Sequence, residues 1–247
     1  MPSSQFLIQA QLLQEKIESH DQYPFTLPVV KYFETLKFHP QVTFVVGENG
    51  SGKSTLLEAI ATAWGFNPEG GTRNFNFSTE STHSDLWNCL RLSKGYKRPK
   101  DGFFLRAESF YNLASNIDAM DREPGPGAPV INSYGGQSLH HQSHGESFFS
   151  LMLHRFGGNG LYILDEPEAA LSPARQLSML SRMHQLVEDN SQFIVATHSP
   201  IIMAYPGAKI LQITDNGITE VEYEETDHYQ TTKLFINNYQ KMIDSLC

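Results

Sequence analysis

Residues 42–64 read VTFVVGENGSGKSTLLEAIATAW. The run Val42 to Val46 is β-branched and apolar on both faces, the pattern of a parallel strand covered on both sides. Gly47 to Ser54, GENGSGKS, matches the phosphate-loop pattern G-x-x-x-x-G-K-[ST] in full. From Thr55 onward, Leu56, Leu57, Ile60 and Trp64 fall on one helical face. Strand, glycine-rich loop and helix stand in the order this motif requires. The glycines let the backbone curl. The N–H groups of Gly47, Glu48, Asn49, Gly50, Ser51 and Gly52 then form an anion nest at a helix start. Lys53 is placed to reach β- and γ-phosphates, and the Ser54 hydroxyl suits Mg²⁺. A bound nucleotide is the expectation.

Further along, Leu161-Tyr-Ile-Leu-Asp165 is a second buried strand ending in two acids, Asp165 and Glu166. Alone they read as solvated acids at a strand end. Behind a complete phosphate loop they predict a metal ligand, Asp165, and a water-polarising base, Glu166. A third buried strand, Phe193 to Thr197, delivers His198. Alone it reads as a core histidine; beside the other motifs it predicts a γ-phosphate contact. Ser172 and Pro173 open a helix as N-cap and first helical residue. Lys209 to Thr214 and Ile218 to Tyr223 flank Asp215-Asn-Gly217 as a hairpin. Phe6, Ile8, Ala10 and Leu12 alternate as a strand, though Leu7 and Leu13 leave a helix open. Tyr23 to Val30 carries two prolines and reads as an extended connection. Residues 66–102 read as loop with one helical turn near Leu86, and Phe103 to Phe110 as a strand and its exit. The tail from His228 reads as an amphipathic helix. Strands alternating with helices predict a mostly parallel sheet with helices on both faces.

The chain has 247 residues, a formal net charge of −9 and two cysteines, Cys89 and Cys247. An acidic chain does not bind nucleic acid through its overall field. Two distant cysteines make neither a disulfide framework nor a metal site, which suits a reducing, cytoplasmic setting. No signal-like start is present, and no apolar run approaches the ~18 residues of a membrane span. Arg91, Lys94, Lys97, Arg98 and Lys100 surround Tyr96, as a nucleic-acid track or as a solvated loop.

Two phrases precede the Asp165 strand: Ser133-Tyr-Gly-Gly-Gln137 and Ser143-His-Gly-Glu-Ser147. In the second, Ser143 and Glu146 have capping-box spacing directly before an apolar run, so free N–H groups stand at a helix start. No helix directly follows the first, which reads as a loop leading in, with Gly135 and Gly136 near the nucleotide edge.

The ordered set GENGSGKST, SHGES, LYILDEPEAALSP and ATHSP resembles the ABC-type P-loop ATPases over nearly the whole chain. Within that class it is similar to small stand-alone members related to DNA-repair and chromosome-maintenance ATPases, a bacterial group with RAES and SHGES phrases. The resemblance implies one ABC-type α/β domain over 1–247. It has a mostly parallel sheet flanked by helices, a small antiparallel β region and a reduced helical region at about 103–155. It implies ATP and Mg²⁺ as ligands and hydrolysis of ATP. Two copies would close head to tail, with Ser143, Gly145 and Glu146 completing the partner copy's site.

Departures from the pattern locate the open points. Glu108 stands where a glutamine is usual, and is carried over as a metal ligand or as half of an ion pair, with Arg106 beside it. Ala169 to Pro173 lacks the usual aspartate. Tyr23, Phe25 and Tyr32 are candidates for the adenine face or for core, and Arg73 for a phosphate contact or surface. His140, His141 and His144 lack the acids or thiolates a metal site needs. The resemblance implies an ATP-driven clamp acting on a nucleic-acid or effector-protein partner. A transporter ATPase subunit is the alternative, weakened by the short, Pro/Gly-rich interval between Glu108 and Ser143. The others are an assembly sensor with little turnover and a small phosphotransferase.

Overall fold

In a computed structural model the chain is described at residues 5–72, 84–108, 110–122, 129–141 and 144–246. The strands are β1 (Leu7–Leu12), β2 (Thr35–Lys37), β3 (Val42–Gly47), β4 (Leu90–Lys94), β5 (Asp101–Arg106), β6 (Gly160–Asp165), β7 (Gln192–Ala196), β8 (Lys209–Thr214) and β9 (Gly217–Val221). The helices are α1 (Pro28–Lys31), α2 (Lys53–Trp64), α3 (Phe110–Arg122), α4 (His144–His154), α5 (Pro173–Glu188), α6 (Pro200–Met203) and α7 (Asp227–Leu246).

The main sheet has the order β5-β6-β7-β3-β8-β9, parallel except for the β8–β9 hairpin. Strand alternation divides its side chains between two cores. Val42, Phe44, Val46, Phe103, Leu105, Tyr162, Leu164, Phe193 and Val195 pack with α3, α4 and α5 on one face. Val45, Phe104, Leu161, Ile163, Ile194 and Ala196 pack with α2 and the small sheet on the other. Each Val, Leu, Ile or Phe among them contributes about 1.5–3 kcal/mol of burial, so both faces must be covered.

The small sheet, β2-β1-β4, is antiparallel. β4 lies inside the stretch 66–102 that composition presents as loop. Leu90 and Leu92 face the core while Arg91 between them is exposed. The strand is short, and Lys94 ends the apolar series on the core side, where it lies over Trp64. The residues after Leu27 are likewise not wholly extended: Pro28 starts the one-turn α1.

Helix ends follow their sequence signals. Ser172 Oγ accepts from the Arg175 N–H, with Pro173 next in line. α2 stops at Gly65, whose φ of 108° allows its N–H to bond the Ala61 and Thr62 carbonyls. Because β3, β5, β6 and β7 are parallel, their C-terminal ends lie on one edge of the sheet, where such folds place their ligands.

Candidate active site

The phosphate loop leaves β3 and enters α2. Three of its glycines have positive φ: Gly47 151°, Gly50 81° and Gly52 95°. A Cβ on Gly52 would lie 2.6 Å from Val29 Cγ1, and the Val29 N–H donates to the Ser51 carbonyl at 3.1 Å. α1 therefore buttresses the loop. Glu48, Asn49 and Gly50 are exposed at its tip, Ser51 is buried, and Ser54 and Thr55 are half-buried. Lys53 is buried and donates to the Gly47 and Glu48 carbonyls at 2.9 and 3.0 Å. Burial lowers its pKa, opposed by the carboxylates of Glu166, Asp165, Glu168 and Glu48. Ser51 Oγ is buried with no partner, beside Gly47 at the base of the loop, an unsatisfied polar atom in a loop whose backbone fits an anion.

Ser54 Oγ donates to Asp165 Oδ1 at 3.0 Å across 111 residues of sequence. Burial pushes the Asp165 pKa up to about 7, although Arg106 and the Ser54 hydrogen bond act to lower it. A buried carboxylate beside a hydroxyl is a hard oxygen donor pair that fits Mg²⁺, whose charge would hold Asp165 ionised. Arg106 links this pair to the flanking elements. It contacts Glu58 of α2 at 2.7 Å, Glu108 at 3.3 Å and Asp165 Oδ2 at 3.7 Å. The Glu108 carboxylate is 83% exposed and its partner is Arg106.

Glu166 follows Asp165 with φ 50°, its N–H bonded to the Ala196 carbonyl at 3.0 Å. Its Oε1 lies 3.4 Å from His198 Nε2. Glu168 Oε1 accepts from the His198 N–H at 2.5 Å, and the buried Glu168 carboxyl is pushed up in pKa. His198 Nδ1 lies 3.0 Å from Nε2 of His228, in the first turn of α7. Both imidazoles are lowered in pKa, first by burial; Lys53 adds to the lowering in each. His198 is thus not a core histidine, and Lys53, Ser54, Asp165, Glu166 and His198 converge at one edge of the sheet.

Ser143 lies outside the described residues. Gly145 and Glu146 open α4, Gly145 half-buried and Glu146 exposed. A Cβ on Gly145 would lie 2.7 Å from the Ala170 carbonyl, so this helix start rests on the loop after Glu166. Gly135 instead packs on the far half of α4, where a Cβ would meet His154 at 2.9 Å and Ser150 at 3.1 Å. Those residues lie about 7–14 Å along the helix from Gly145; Gly136 has open space around it.

Of the aromatic candidates, Tyr23 and Tyr32 are exposed rather than core. The Tyr23 hydroxyl lies 3.2 Å from Thr55 Oγ1, beside the phosphate loop. Arg73 lies outside the described residues. Among the described residues no group of three or more His, Cys, Asp or Glu side chains is arranged to hold a metal, and His140 pairs with Ser115. In the basic stretch, Lys94 sits 4.4 Å over the Trp64 ring and Lys97 5.8 Å over Tyr96.

Glu58, Glu168 and His228 were not legible as site residues. Each comes from a helix or loop whose sequence pattern signals only packing. Glu168, two residues beyond Glu166, had the nearest thing to a signal.

Two family models match parts of the chain. One, described as "AAA domain", covers residues 26–98; the other, "AAA domain, putative AbiEii toxin, Type IV TA system", covers 130–204. No curated protein matches. Among solved structures, an ATP-binding cassette of an ABC transporter superposes with TM-score 0.53 at 14% identity, over 95% of this chain and 98% of that one. The dimeric structure of a bacterial ABC transporter cassette gives 0.51 at 16%, over 89% and 100%. The SMC head domain from Thermotoga maritima gives 0.40 at 19%, over 76% and 93%. The fold is therefore the α/β P-loop NTPase fold in the form of the ATP-binding cassettes. No helix among the described residues is long and apolar enough to cross a membrane.

Proposed function

We propose that this chain binds and hydrolyses ATP, and that two copies close head to tail over two nucleotides as a switch or clamp. The observation that carries the reading is the convergence of Lys53, Ser54, Asp165, Glu166 and His198. They arrive from the ends of three adjacent parallel strands at a phosphate cradle. The loop N–H groups bind the phosphates, and Lys53 exchanges its two loop carbonyls for phosphate oxygens. Ser54 and Asp165 would hold Mg²⁺, with Glu108 as a further donor directly or through water, and the ion would neutralise phosphate charge. Glu166 orients water and accepts its proton, and His198 faces the γ-phosphate. Ser143, Gly145 and Glu146 face the partner copy's nucleotide. The partner moved by the cycle is a nucleic acid or an effector protein, in a cytoplasmic setting. Residues 107–143 contain one full helix among those described, a small surface for a transporter's membrane subunit.

The test is Glu166→Gln, assayed for turnover and for mass by light scattering with and without MgATP. ATP binding is retained, turnover falls ~10²–10⁴-fold, and the mass doubles only with MgATP. Normal turnover removes Glu166 from its role; a mass indifferent to MgATP sinks the ATP-driven closure.

A further inference from the structure

His228 lies outside every motif of the phosphate site, yet it touches it. It sits in the first turn of α7, and that turn is fastened to the sheet. Asp227 Oδ2 accepts from Gln212 Nε2 at 3.0 Å, which ties α7 to β8. Thr226, fully buried, donates its hydroxyl to the Tyr223 carbonyl at 2.8 Å and receives the Tyr229 N–H at 3.3 Å. The Tyr223 hydroxyl donates at 2.8 Å to the carbonyl of Pro200, two residues beyond His198. The position of the His228 ring is therefore built into the fold. Its neighbours include Glu48 and Lys53 of the phosphate loop.

A neutral imidazole carries one proton on two nitrogens, and its partners decide which. His198 is flanked on both sides, by His228 at Nδ1 and by the Glu166 carboxylate near Nε2; Nε2 itself makes no hydrogen bond and stays available to a phosphate oxygen. Nε2 stands 3.4 Å from a Glu166 carboxylate oxygen, which can only accept. A proton on Nδ1 would turn the Nε2 lone pair toward that carboxylate, which is repulsive. A proton on Nε2 instead leaves the Nδ1 lone pair to accept from the His228 Nε2–H, 3.0 Å away. The geometry points to His228 as the positioning residue that fixes His198 in its Nε2–H tautomer, aiming a donor at the reacting phosphate. The inference rests on the reading of His198 as the γ-phosphate contact. Burial and the nearby Lys53 ammonium favour the neutral form of both rings, against the nearby carboxylates of Glu166 and Glu48, as one proton between the two nitrogens requires. The fixed donor is a preorganised dipole, present before charge develops on the phosphate.

The test is ¹⁵N spectroscopy of histidine-labelled protein above the titration range of both rings. His198 is assigned by its loss in His198→Ala. Its Nε2 is protonated in the unsubstituted chain. It averages between tautomers in His228→Ala and is restored in His228→Gln, whose amide N–H can donate to Nδ1. An Nδ1–H form in the unsubstituted chain, or an unchanged signal in His228→Ala, overturns the assignment. In turnover, His228→Ala lowers kcat on the order of 10-fold with little change in KM. His228→Gln recovers the rate, and the double variant with His198→Ala is no slower than His198→Ala alone. A further loss in the double variant would mean that His228 acts on its own. Full turnover in His198→Ala would sink the γ-phosphate reading of that residue, a failure the tautomer spectrum reads separately.

Discussion

Glu166 is held at φ 50° by the bond from its N–H to the Ala196 carbonyl, a left-handed conformation that costs an L side chain about 1–2 kcal/mol. The turn aims the carboxylate back toward His198 rather than along the strand. Glu166→Gly removes that strain and adds about 0.5–1 kcal/mol of unfolded-state entropy. The net is a gain of about 0.5 kcal/mol, or ~1–2 °C in Tm for a chain of this size, with turnover lost. Calorimetry checks it; a lowered Tm would mean that the surrounding bonds, not glutamate strain, dominate that turn. The identity of Glu166 as an acid after a buried strand was legible from the sequence. Its backbone angle was not, because the angle is imposed by β7, thirty residues away in the chain.

Among the elements, α7 shows how an amphipathic pattern can be read correctly as helix and still not report burial. Its residues carry a periodic apolar face, but none is buried, and Leu234 and Ile236 are 57% and 64% exposed. Its first turn is anchored through Asp227 and His228. Leu234→Gln with Ile236→Gln therefore costs less than about 0.5 kcal/mol, since surface changes away from packed features lie within that range. A urea-unfolding free energy lowered by more than that would show that these side chains pack in solution. β4 is the opposite case. Its alternation of Leu90, Arg91 and Leu92 is too short to stand out in a polar, glycine-containing stretch, and pairing with β1 made it a strand.

Across the molecule, the two edges of the parallel sheet have separate tasks. The C-terminal edge holds the phosphate site. The N-terminal edge is tied by Asp101 of β5, which accepts from Arg155 Nη1 at 2.8 Å, the Gly157 N–H at 2.9 Å and the Tyr162 hydroxyl at 2.8 Å. Burial alone would raise the Asp101 pKa; the Gly157 N–H, Arg155 and Tyr162 outweigh it and hold it below the usual 3.8. Since the folded value is the lower one, the ionised group stabilises the fold at neutral pH. That contribution is lost as pH falls through the lowered value. Asp101→Asn costs about 1–2 kcal/mol at neutral pH. The gap between variant and unsubstituted chain narrows below pH 3.8. Urea unfolding at both pH values checks this; a gap that does not narrow would place the effect in packing rather than charge.

The strand–loop–helix around Lys53, the two acids after β6 and the histidine after β7 were determined by local sequence alone. Their chemistry depends on residue type and on the element that carries each. The S-x-x-E spacing likewise marked the start of α4. Tertiary structure alone decided what those side chains meet. Arg106 binds Glu58, Glu108 and Asp165, Gly145 rests on Ala170, and His228 turns to His198. These contacts join residues far apart in the chain, brought together by sheet order and helix docking. No local period encodes such a pairing, because the energy that selects it comes from burying both faces of the sheet at once.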